Sequence, residues 1–337
     1  MRILLLFLVR SVFNCGLTKA DDSFSIGGYL PDYRFYINVN DTATKLSDLV
    51  LFSLQPSKNG VDFPCCLDNH HYDIARQAVA HKRTINDEDL RLWITVGGGG
   101  RSTEFLKATE SDAFLQSIQQ LATSNMITGI DLDCEYFTSQ ADYQKYLIWL
   151  DRVIPKLQQR NLKVSVALHA GMFLTASIYE KVDRIHLMTY DMMYDRTSVA
   201  HRPEDHYHAD MYQTDQAVQK LVKSGCPRAK IILGIPAYAR HYQNPGMVKT
   251  FAELVDEIMS EETDRAISVL KEWKGYRGDF PISAARKVDY ARQQQLGGVF
   301  LWELGQDKQV DGNGGYLLET ISAAASNTGV LNNKEEL

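Results

Sequence analysis

Eight apolar, strand-like runs follow one another along the chain: SIGGYL, DLVLFSL, LWITVGG, ITGIDLD, LKVSVALH, RIHLMTY, KIILGIP and GGVFLWEL. Most are too apolar to stand half in water, which suits a parallel sheet covered on both faces. Parallel neighbours need long crossover connections. The stretches between the runs supply them: FLKATESDAFLQSIQQLATS and YQKYLIWLDRVIPKLQQ carry apolar residues at three- and four-residue spacing. TDQAVQKLVKSG closes on Lys223 and Gly225, and AARKVDYARQQQLGG ends in the same way at Gly297, both helix stop signals. Eight strands alternating with helices in 337 residues predict a single-domain (β/α)8 barrel, with a doubly wound open sheet as the alternative. His241 to Leu296 reads mainly as helical, so an insertion between strands seven and eight is expected to be short or absent, with Trp273 and Tyr276 as possible sugar contacts.

The fourth run breaks the apolar rule. In ITGIDLDCEYF, Asp131, Asp133 and Glu135 occupy every second position. Side chains alternate across a strand, so the three carboxyls share one face while Ile130, Leu132 and Cys134 share the other. In a barrel the acids then point inward. Successive carboxyls stand about 6.5 Å apart, twice the strand rise. In a partly dry interior they cannot all ionise independently, and one or two keep a proton near neutral pH. Glu135, last in the series, lies nearest the C-terminal mouth where barrel enzymes work. A carboxylic acid kept protonated by neighbouring carboxylates is a general acid.

Charge and termini narrow the setting. A net charge of −6 gives no basic field for nucleic acid. No apolar run is long enough for a membrane anchor, and a monomer is expected. Arg2, then ILLLFLV, then a polar stretch ending at Ala20 has the order of a secretory signal peptide; a buried N-terminal strand is the alternative. Residues 21–325 then form the barrel and 326–337 a polar tail. Its last four residues, KEEL, are similar to the KDEL-type retrieval signal, which places the protein in the ER lumen; as a plain acidic end they would leave it secreted. Asn40-Asp41-Thr42 is a glycosylation sequon. Cys65, Cys66, Cys134 and Cys226 fit no zinc or redox spacing, and their pairing is open.

TGIDLDCEY resembles the DxxDxDxE signature of the family 18 glycoside hydrolases, the chitinase family, with Asp131, Asp133 and Glu135 on its last three acids. Thr128 stands at the first acid, and Cys134 where a Trp is often found. TVGG (Thr95–Gly98) is similar to the strand-three SxGG, MTYD (Met188–Asp191) matches the strand-six motif, and GGYLPDYR, GIPAYAR and GGVFLWEL resemble strands one, seven and eight. The resemblance runs in order from about Ile26 to Asp307.

It implies hydrolysis of β-1,4-linked N-acetylglucosamine, in chitin or related glycans, by a retaining mechanism in which the substrate's own 2-acetamido group is the nucleophile. Glu135 would be the acid, Asp133 would orient the acetamido group, Asp131 would tune Asp133 by sharing its proton, and Tyr190 would bond the acetamido carbonyl. Trp302 would floor the sugar site, with Met188, Asp191, Tyr29, Gly97, Gly98, Tyr238 and Arg240 around it. Cleavage within N-glycan chitobiose cores, and a chitin-binding lectin without catalysis, are the other readings.

Other motifs carry less. Gly97 to Gly100 lacks the Lys-Ser/Thr of a phosphate loop and reads as a tight turn near the sugar site. The segment His201 to Asp210 fits no metal-ligand spacing and reads as a polar substrate loop, and His70-His71 as a loop feature. No metal or cofactor is expected.

Overall fold

The computed structural model describes residues 24–62, 67–86, 88–102, 104–109, 112–192, 207–261, 267–310 and 314–326. The proposed signal segment, Cys65, Cys66, His201 to His206 and the KEEL tail lie outside the described residues.

The eight runs form eight parallel strands: β1 (Ser25–Pro31), β2 (Asp48–Ser57), β3 (Arg91–Gly97), β4 (Gly129–Asp133), β5 (Lys163–His169), β6 (Arg184–Met188), β7 (Ile231–Pro236) and β8 (Gly298–Trp302). They pair in sequence order, and β1 pairs with both β2 and β8, which closes the sheet into a barrel. Closure excludes the open doubly wound alternative.

The period of two sorts every strand. Ile130, Leu132 and Cys134 face outward into one apolar cluster with Ile118, Tyr146 and Leu150 of the surrounding helices. Val164, Val166 and Leu168 of β5 join the same layer. Tyr29, Val50, Phe52, Trp93, Ala167, Met188 and Phe300 face inward and fill the lumen. The expected helices are present. Gln140–Gln158 is capped by the Ser139 hydroxyl, Met211–Lys223 by Asp210, and Phe251–Ser260 by a capping box of Thr250 and Glu253. His70 and His71 lie in the first turn of the helix Asn69–Asn86 rather than in a loop.

At the N-terminal end of the barrel, Asp48 opens β2 and gathers the first residues of two other strands. Its Oδ1 accepts from Arg91 Nε (2.7 Å) and Trp93 Nε1 (2.8 Å), and lies 2.9 Å from Arg184 Nη1. Burial opposes the charge, but the two guanidiniums hold Asp48 well below the usual carboxylate range.

Between β7 and β8 the two expected helices are present, Phe251–Ser260 and Pro281–Gln293, and a small sheet accompanies them. Tyr238–His241, Val248–Thr250, Tyr276–Gly278 and Glu272–Trp273 form a four-stranded antiparallel sheet around the helix Phe251–Ser260. The insertion is therefore short but present. Its strands are two to four residues long, too short to display an alternation in sequence. Trp273 and Tyr276 are buried within this layer, so they pack it rather than face a ligand.

Candidate active site

The C-terminal ends of the strands enclose a cavity of about 440 Å³. Tyr29, Gly98, Asp133, Glu135, Met188, Tyr190, Asp191, Tyr238 and Trp302 all line it. Asp131, Gly97 and Arg240 do not. Tyr33, Phe52, Arg101, Ala167, His169 and Phe300, which motif reasoning did not single out, complete the wall.

Asp131 lies deepest. Register sets Thr95 of β3 and Ser165 of β5 directly beside it. Oδ2 accepts from Tyr29 Oη (2.8 Å) and Thr95 Oγ1 (3.0 Å), and Oδ1 from Ser165 Oγ (2.6 Å). His186 Nδ1 is 2.5 Å from the Tyr29 oxygen. Since the tyrosine proton is committed to Asp131, the imidazole donates there. Burial lowers the His186 imidazole below its usual range, so it is neutral. Donors on both oxygens anchor Asp131, and it acts on Asp133 through its charge.

Asp133 is buried, and its Oδ1 has no partner among the described residues. Burial first, then the carboxylates of Glu135 and Asp131, raise it well above the usual carboxylate range, which favours its protonated form. The glycine turn sits against it. Gly98 adopts φ +84°, and a Cβ there would lie 2.3 Å from the Phe52 ring and 3.0 Å from Asp133 Oδ2. Only glycine supplies that backbone and that clearance. The Gly98 N–H donates to the Asp133 carbonyl (2.7 Å).

Glu135 stands at the mouth. The Gly99 N–H donates to its Oε1, and His169 Nε2 lies 2.9 Å from its Oε2. Ser102 ties the strand end down: its Oγ accepts from the Glu135 N–H (3.2 Å) and donates to the Asp133 carbonyl (3.1 Å). The two departures from the acid signature lie off the cavity. Thr128 Oγ1 donates to the Leu92 carbonyl (2.9 Å), and Cys134 is buried on the outer face.

Across the lumen, Tyr190 is buried, and burial raises its phenol well above the ordinary tyrosine value, so it remains a donor. Its ring has room because Gly234 faces it: a Cβ there would lie 2.8 Å from Tyr190 Cε1. Asp191 is locked by a two-point bond from Arg240, Nε to Oδ1 (2.6 Å) and Nη2 to Oδ2 (2.9 Å). The buried His208 adds a contact at 3.3 Å. Although burial works against it, these partners hold Asp191 well below the usual range, as a fixed anion. Trp302 meets Phe52 and Tyr29 edge-on, at ring separations of 4.7 and 5.4 Å, and forms the floor.

Motif reasoning leaves out His169 and takes in His208 only as part of the polar loop His201 to Asp210. The signal for His169 was present: Ser165, Ala167 and His169 hold the inward phase of β5, just as the acids do on β4. Nothing in the sequence ties His208 to Asp191, 17 residues away.

Comparison with known proteins agrees with this geometry. The profile of the family described as glycosyl hydrolases family 18 matches residues 25–307. Endochitinase 1 of Metarhizium robertsii is 25% identical over 285 residues, spanning 72% of this chain and 67% of that protein. Among solved structures, a class V chitinase of Nicotiana tobaccum in complex with NAG4 superposes with a TM-score of 0.71 at 19% identity, covering 90% of this chain and 99% of that one. A chitinase-like agglutinin of Robinia pseudoacacia does so with a TM-score of 0.67 at 21% identity, covering 89% and 99%. With the family profile spanning the barrel from β1 past β8, the chain belongs to glycoside hydrolase family 18.

Proposed function

We propose that the protein hydrolyses β-1,4 bonds between N-acetylglucosamine units, with retention and with the substrate's acetamido oxygen as nucleophile. The buried, unpartnered Oδ1 of Asp133 beside Glu135 carries this reading. A buried polar atom without a partner is costly, and a substrate N–H would satisfy it. An acetamido group bound there places its carbonyl oxygen toward the anomeric carbon. A two-carboxylate scheme needs a second carboxylate able to attack. Among the described residues, the other cavity-lining carboxyls are Asp133, whose burial disfavours the charged form, and Asp191, which is pinned by Arg240.

In the proposed sequence, Glu135 gives its proton to the leaving oxygen while the acetamido oxygen bonds the anomeric carbon. Tyr190 donates to that oxygen, and the Oδ1 of Asp133 accepts the acetamido N–H and holds the group in line. Glu135 then takes a proton from the attacking water. Trp302 supplies the apolar floor for the sugar. Proton NMR of the first product from chitotriose is expected to show the β-anomer, with no cleavage of cellotriose. Release of the α-anomer, or equal cleavage of cellotriose, would refute the mechanism. A high-mannose glycopeptide assayed in parallel separates chitin from N-glycan cores. Binding to chitin beads without turnover of either would mark a lectin.

We also propose that the chain enters the secretory pathway and that KEEL holds it in the ER lumen. Deleting Lys334 to Leu337 is expected to move the protein from cell lysate to medium. If the full-length protein already accumulates in the medium, the tail is no address.

A further inference from the structure

The two oxygens of Glu135 are not equivalent. Oε1 accepts a backbone N–H, from Gly99, and that donor cannot be withdrawn or reversed. A proton on Glu135 is therefore carried by Oε2. That oxygen lies 2.9 Å from Nε2 of His169, the last residue of β5. The proton that an acid at this position gives up thus sits between a carboxyl and an imidazole. The Glu135 side chain is 14% exposed and that of His169 37%, and both line the cavity, so the pair stands at the cavity mouth and outside the packed core.

We propose that His169 is a positioning residue for the acid: it shares one proton with Glu135, keeps that proton on Oε2, and sets the upper pH limit of the reaction. The proposal rests on the hydrolase reading above. A couple that needs one proton loses it only when both members are bare, which occurs at higher pH than for the carboxyl alone. No atom is gained or lost. The proton passes from Oε2 to the leaving oxygen and returns to the couple from the attacking water.

Other groups facing Glu135 do not substitute for His169. Asp131 and Asp133 share its strand, and Asp131 is anchored by hydroxyl donors. Tyr190, from the end of β6, stays protonated. Arg101, from the turn after β3, is paired with Asp32, and Asp191 with Arg240. Among the described cavity residues, His169 is the sole imidazole.

Two measurements test this. In His169→Gln, the alkaline limb of kcat/KM is expected to move down by about one pH unit or more, with KM changed less than about threefold. A uniform loss at every pH, or a rise in KM with an unmoved limb, would overturn the proposal in favour of a packing or sugar-contact role. The second measurement needs no substrate. In the labelled protein, the His169 imidazole resonance, assigned by its loss in His169→Gln, is followed through a pH titration. Its midpoint is expected to fall by about one unit when Glu135 is replaced by Gln. An unchanged midpoint refutes the couple even if the enzyme is active; a shifted midpoint with no activity on any glycan refutes the substrate reading alone.

Discussion

Glu135→Gln is expected to lower kcat by about 10²-fold or more while oligosaccharide binding largely survives. Glutamine keeps the shape of the side chain. Its oxygen can still accept the Gly99 N–H, and its amide can still reach His169. What disappears is the proton that must pass to the leaving oxygen. The loss is confined to the transition state, so kcat should fall with little change in the Kd of chitotriose by calorimetry. The variant should also melt with the wild type, because the replaced group is held by one backbone donor and one neighbouring side chain. Retention of most activity would remove Glu135 from the acid role and, with it, the proposed mechanism.

Asp48→Ala is expected to cost about 2–4 kcal/mol of stability, roughly 10²-fold in the unfolding equilibrium, without changing kcat/KM per folded molecule. The carboxylate receives Arg91, Arg184 and the buried Trp93 indole at once. Its removal leaves an indole N–H with no acceptor and two guanidiniums facing each other. Both guanidiniums are partly exposed, at 21% and 15%, so water relieves part of the penalty. The network lies at the barrel end opposite the cavity, where residues serve stability. A lower urea midpoint with an unchanged slope is the expected signature. The pH dependence follows from the depressed carboxyl. Its stabilisation is fully present above the unfolded value near 4 and fades as pH falls through the lower folded value, so wild type and variant should converge in acid. A gap that persists below about pH 3 would assign the loss to packing instead.

The barrel and its inward acids were legible because alternation is a local property. One strand, read alone, states which side chains share a face, and the same rule places Tyr190 after Met188 and His169 after Ala167. The helices were legible for a similar reason: apolar spacing and stop residues are set within one element. The insertion was not. Strands of two to four residues draw their stability from cross-strand pairing, and Trp273 and Tyr276 look alike in sequence whether they bind sugar or fill a core.

Sequence by itself therefore determined the strand count, the inward face of each strand and the line of carboxyls ending at Glu135. Only the tertiary structure decided what each carboxyl became. Barrel register put Thr95 and Ser165 against Asp131, which anchors it. The turn at Gly98 and Gly99 aimed one N–H at Glu135, and closure brought His169 to its other oxygen. Arg240, carried by the insertion, fixed Asp191. Protonation and orientation depend on distances between elements remote in the chain, and those distances exist only once the barrel has closed.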